Sequence, residues 1–211
     1  MSSPSAPHTS YQYSLLDPSL REIRLLHLLP TQLSESYQEN TPTCTISQAP
    51  LVSTPKYIAL SYVWGTQPSQ RTIKINEHSF PVGENLYVAL QHLQGPEELI
   101  LWIDAICINQ TDDNEKSTQV QLMRDIYRHA VGVVVWLGSS TPQTDTAMYW
   151  LDKLGESLLA MGIEKLKAEH VGKWDTWDET VDEEEDSRPW FSRAWCLQEC
   201  SNGKEVIFQC G

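Results

Sequence analysis

Three short runs of the chain carry the residue types that can do chemistry. They are Ser61-Tyr62-Val63-Trp64-Gly65, the stretch from Asp104 through Asn109-Gln110, and Trp195-Cys196-Leu197-Gln198-Glu199. Together they hold aromatic faces, amides and two carboxylates, Asp104 and Glu199. Such a set suits a cleft for a ligand with a flat ring and sugar hydroxyls. Ser61, Tyr62, Trp64, Gly65, Asp104, Cys107, Asn109, Gln110 and Trp195 are the candidate binding residues, and Glu199 is the second carboxylate that would face such a cleft. Each also has a plainer reading. Trp64 and Trp195 read as core packing, Gly65 as a turn glycine, Asp104 as a turn cap, and Glu199 as a solvated helix acid. Glu199, however, shares a helical face with Phe191 and Trp195, and an acid on an aromatic face tends to be partly buried, with its pKa raised by desolvation.

Other chemistries find little support. No Gly-rich phosphate loop and no Gly-x-Ser-x-Gly elbow is present. Cys107 and Cys196 sit among apolar residues without a neighbouring histidine, where a thiol stays protonated and inert. The five cysteines have no metal-ligand spacing, the six histidines form no cluster, and no cofactor is expected. A formal charge of −13 argues against a nucleic-acid-binding surface. Eight of the acids fall between Trp174 and Ser187, a run that reads as a solvated loop. The N-terminus lacks an apolar signal core and no run approaches a membrane span, so a reduced, cytoplasmic compartment is expected.

For these runs to meet, strands and helices must bring them to one edge. Residues 99–103 are an apolar run broken at Asp104, the pattern of a strand buried on both faces of a parallel sheet. Residues 57–62 and 131–137 read the same way, and ligands of such sheets bind beyond the carboxyl ends of the strands. Leu86, Leu90 and Leu93 space a helix over 84–93, stopped by Gly95-Pro96. Asp112 with Glu115 makes a capping box for a helix burying Val120, Met123, Ile126, Tyr127 and Ala130. Residues 22–29 read as a strand, 31–56 as a loop with one short strand near Cys44, and 72–82 as a hairpin turning at 76–78. Further helices are expected over 144–159 and, started by Pro189, over 188–200, with a last strand at 205–209. The alternation of strand and helix predicts an α/β domain with a mostly parallel, doubly wound sheet flanked by helices, carrying a hairpin insertion and an acidic loop insertion. Residues 1–15, rich in Ser and Pro, are expected to be a disordered tail, and 16–211 one domain. A closing helix would be expected after 205–209, so the chain reads as C-terminally truncated.

The blocks Tyr57-Ile-Ala-Leu-Ser-Tyr-Val-Trp-Gly65, Leu101-Trp-Ile-Asp-Ala-Ile-Cys-Ile-Asn-Gln110, Val135-Trp-Leu-Gly138 and Phe191-Ser-Arg-Ala-Trp-Cys-Leu-Gln-Glu199 closely resemble the fungal heterokaryon incompatibility (HET) domain, over about residues 20–211. Such domains trigger cell death when incompatible strains fuse, and they look like distant relatives of Toll/interleukin-1 receptor (TIR) domains. The TIR likeness implies a flavodoxin-like fold, hydrolysis of NAD(P)+ as substrate with Glu199 as the catalytic residue, and homo-oligomerisation. One departure stands out: some fifty residues separate Leu137 from the Trp195 helix, which in TIR domains follows its strand almost directly. The same likeness also admits a non-enzymatic self-association module, or one that binds the nucleotide without cleaving it.

Overall fold

The computed structural model describes residues 11–31, 41–65, 71–140, 149 and 205–210. These residues form β1 (Glu22–Leu28), β2 (Thr43–Pro50), β3 (Ile58–Tyr62), β4 (Arg71–Ile75), β5 (His78–Val82), α1 (Glu84–Leu93), β6 (Leu99–Trp102), α2 (Asp104–Cys107), α3 (Asp113–His129), β7 (Gly132–Trp136) and β8 (Val206–Gln209). All eight strands join one sheet in the order β5-β4-β2-β1-β6-β3-β7-β8.

Strands β6, β3, β7 and β8 run parallel, as the strand–helix alternation predicts. The other half departs from a mostly parallel sheet: β1 lies antiparallel to both β2 and β6, and β4 and β5 form an antiparallel hairpin. The fold is therefore α/β with a mixed sheet. The reason is physical. An apolar run such as that of β1 reports burial on both faces and carries no information about strand direction. The hairpin is also less of an insertion than expected, because β4 pairs in parallel with β2 and extends the same sheet.

Register assigns the faces. Ala59 lies beside Trp102 and Val133, while Tyr62 lies beside Trp136 an odd number of residues on, so the two tryptophans point to opposite sides of the sheet. Helix α1 covers the Trp136 side, where the Trp136 indole donates to Asn85 Oδ1 at 2.9 Å and the His92 ring sits 5.0 Å away. Helix α3 covers the Trp102 side, with Tyr127 edge-on to Trp102 at 5.6 Å. This two-sided cover follows from right-handed crossovers that run in opposite directions along the sheet, β3 to β6 and then β6 to β7.

Helix α1 spans the expected residues and buries Leu86 and Leu90. Asp112 caps α3 by accepting the amides of Asn114 and Glu115. Val120, expected inside, is 40% exposed, whereas Met123 is half-buried and Ile126, Tyr127 and Ala130 are in the core. At the N-terminal half of the helix the inward position falls on Gln119, which is 2% exposed and donates to the Glu22 carbonyl. The β4–β5 turn uses Asn76 and Glu77, both at positive φ (47° and 66°), a two-residue geometry that matches strand twist. Apart from Tyr149, the helices expected over 144–159 and 188–200 and the acidic loop lie outside the described residues. Among the described residues no helix is long and apolar enough to cross a membrane.

Candidate functional site at the strand tips

Because β3 and β6 are parallel neighbours, the residues that follow them leave the same edge of the sheet. Beyond β3 come Val63, Trp64 and Gly65. Gly65 has φ +81°, a left-handed conformation that a side chain would strain. Beyond β6 the chain turns at once into α2, which begins with Asp104. The two tips touch: the Trp64 indole N–H lies 3.1 Å from both Asp104 carboxylate oxygens. Oδ1 also accepts the Ala105 amide at 2.7 Å. Trp64 remains 43% exposed, unusual for an indole tied on one edge to the fold. A third element meets the corner from α1. Asn85 donates to the Val63 carbonyl at 2.8 Å while accepting from Trp136, which links the exits of β3 and β7.

Helix α2 has a single turn, so its carbonyls have few intrahelical partners and must be satisfied from outside. Side chains supply them. Tyr13 donates its hydroxyl to the Ile106 carbonyl at 2.9 Å, Arg24 donates to the Cys107 carbonyl at 3.0 Å, and Gln110 donates to the Asp104 carbonyl at 2.9 Å. Arg24, only 1% exposed, is paired with both Glu115 oxygens at 2.5 and 2.9 Å. Its guanidinium also reaches the Ser14 carbonyl and stands 4.7 Å above the Tyr13 ring. Glu115 in turn accepts the Asn109 amide at 2.7 Å. A buried charge is tolerated only when so surrounded. Burial also pushes the Tyr13 hydroxyl up, with the Cys107 thiol a smaller contributor, so it stays a donor.

The sequence candidates therefore divide by position. Trp64, Gly65 and Asp104 stand at the edge itself. Ser61 and Tyr62 are buried on opposite faces of β3 just behind it. Asn109 and Gln110 build the turn: the Asn109 carboxamide oxygen accepts from the Thr111 amide and hydroxyl, and Gln110 braces α2. Cys107 is fully buried, and burial pushes its thiol up to about 12. Trp195 and Glu199 lie outside the described residues. Arg24, Tyr13 and Asn85 support the corner and were not singled out from the sequence. Arg24 did leave a signal, a charge within the apolar run 22–29 that has to be paired if buried. Asn85 left none. Among the described residues no group of three His, Cys, Asp or Glu side chains is placed to hold a metal ion.

Comparison with known proteins bears on the same blocks. The model of the family described as "Heterokaryon incompatibility protein (HET)" matches residues 57–199, from the residue before β3 onward. Heterokaryon incompatibility protein 6, OR allele, of Neurospora crassa is 34% identical over 240 aligned residues that cover 94% of this chain and 34% of that protein. The chain thus spans about a third of that relative's length. No solved structure matches. The strand tips and the crossovers between them fall inside a match that covers most of the chain, and the chain belongs to the heterokaryon incompatibility (HET) family.

Proposed function

We propose that the chain is the effector domain of a fungal heterokaryon incompatibility protein, and that it acts by hydrolysing NAD(P)+ at the nicotinamide–ribose bond. The observation that carries the reading is the contact between Trp64 and Asp104 at the carboxyl edge of parallel strands. The sheet order supports it. In chain order, β6-β3-β7-β8 places the second parallel strand, then the first, third and fourth, an order that supports a flavodoxin-like, TIR-like reading of this half of the sheet. Such sheets bind ligands outside the carboxyl ends, where the strand order reverses.

The chemistry asks little of the protein. The leaving nicotinamide is cationic while bonded and departs neutral, so no general acid is needed. Positive charge builds on the ribose, and one carboxylate beside it lowers the barrier. Glu199 is that carboxylate in this reading. Trp64 stands on the ring side with Tyr62 buried behind it, Asp104 and the 104–110 turn shape the rim, and assembly into homo-oligomers brings the domain to its active state.

Purified chain incubated with NAD+ releases nicotinamide, and Glu199→Ala lowers that rate at least about a hundredfold, the scale of a lost electrostatic stabiliser. Equal turnover by the two proteins removes Glu199 from the mechanism. Cell killing that survives Glu199→Ala supports a self-association role for the same domain instead.

A further inference from the structure

We infer that the Trp64–Asp104 corner binds flat cationic heteroaromatic rings in preference to neutral rings of the same shape. This rests on the reading above: the ring is the pyridinium of the oxidised dinucleotide, and the reduced dinucleotide, whose ring is neutral, competes poorly for the site.

Four observations on the corner lead there. Trp64 keeps 43% of its surface exposed although its indole N–H is committed to a carboxylate, so the ring is held in one attitude and still offers surface to a ligand. The backbone of Gly83, the N-cap of α1, approaches Trp64 closely as well. Gly65 takes a left-handed conformation, and a Cβ on Gly83 would come within 3.2 Å of the Trp64 carbonyl. A platform fixed before binding loses little entropy when a ring docks on it. Finally, the donor–acceptor pair polarises the indole. The face of an aromatic ring is already its negative side, and giving the N–H to a carboxylate raises electron density in the ring. Stacking area alone cannot distinguish a pyridinium from a dihydropyridine of nearly equal size, whereas a cation over an indole face gains an attraction that a neutral ring does not.

The same preference suits release of the product. When the glycosidic bond breaks, its electron pair returns to the ring nitrogen and the positive charge moves to the ribose. Water then attacks the ribose and gives up a proton. The departing nicotinamide is neutral and no longer enjoys the attraction that held it. Leaving-group chemistry already prevents NADH from being cleaved. The inference concerns occupancy, so that a reduced pool does not block the site.

The test uses two rings of similar size, 1-methylnicotinamide (cationic) and nicotinamide (neutral), neither of which has a ribose bond to break. Each is titrated into the full chain while the Trp64 indole N–H resonance is followed, identified by its absence from Trp64→Phe. The cation binds about 5- to 30-fold more tightly, the range of a cation–π contact at a partly desolvated site. Trp64→Leu brings the ratio to near one. Asp104→Asn keeps an acceptor oxygen but lowers the ratio. Circular dichroism identifies any variant that fails to fold, and the comparison of the two rings on the parent chain stands without the variants. Equal affinities, a ratio that survives both substitutions, or no response to either ring overturns the inference. Hydrolysis of NAD+ is measured separately. A chain that hydrolyses without charge preference refutes this inference alone, whereas one that prefers the cation without hydrolysing refutes the hydrolase reading alone.

Discussion

Arg24 is the side chain on which the tip of β6 depends most. It occupies the middle of a buried strand, yet its guanidinium reaches a carboxylate, two backbone carbonyls and an aromatic face. Through Glu115 the same cluster also holds the amide of Asn109, so both sides of the turn behind Asp104 are tied to one ion pair. Arg24→Met removes the cation and leaves the Glu115 carboxylate, itself only 10% exposed, without its partner. The expected loss is about 3 kcal/mol of unfolding free energy, read as a lowered urea midpoint. Arg24→Met combined with Glu115→Leu recovers part of it, because two residues in direct contact do not add. A full additive loss in the double variant would contradict the pairing.

At the scale of elements, the β4–β5 hairpin invites a gain rather than a loss. Glu77 holds φ +66°, where an L side chain is strained and Asn-Gly is the favoured pair. Glu77→Gly should raise stability by up to about 1 kcal/mol, less what glycine loses in backbone entropy; a lowered thermal midpoint would show that the Glu77 side chain contributes something else. The hairpin was legible from its alternation, and β3, β6, β7 and α1 from their apolar runs and spacing. Strand β2 was read only near Cys44 because Thr43–Pro50 buries little beyond Cys44 and shows no clean alternation. It is specified by its long register with β1, a tertiary contact that leaves no local mark. The inward face of α3 was misplaced at Val120 for a related reason. Gln119 turns in because a backbone carbonyl of β1 needs its amide, a demand that hydrophobic periodicity cannot express. Of the candidate site, the strand tips were readable from where apolar runs end, while the Arg24 cluster behind them draws on segments far apart in sequence.

At the scale of the whole molecule, two thiols among the described residues, Cys44 and Cys107, lie in the core, and burial pushes each up to about 12. A group whose folded pKa lies above its unfolded value favours the folded state fully below the unfolded value, and that contribution fades as pH rises toward the folded one. The unfolded thiol value is about 8.5. Thermal midpoints should therefore show no thiol-linked fall below roughly that pH and decline between there and about 12. At pH 8, iodoacetamide should leave Cys44 and Cys107 unmodified until denaturant is added, as peptide mass mapping will show; labelling of either in the native protein would mean that the core opens there. A different consequence follows from the place of β1. It lies in the interior of the sheet, clasped on one side by β6, a strand drawn from the middle of the chain. A nascent polypeptide leaving the ribosome therefore cannot close its central seam until β6 has emerged, and the Trp64–Asp104 corner assembles only after synthesis has passed that point.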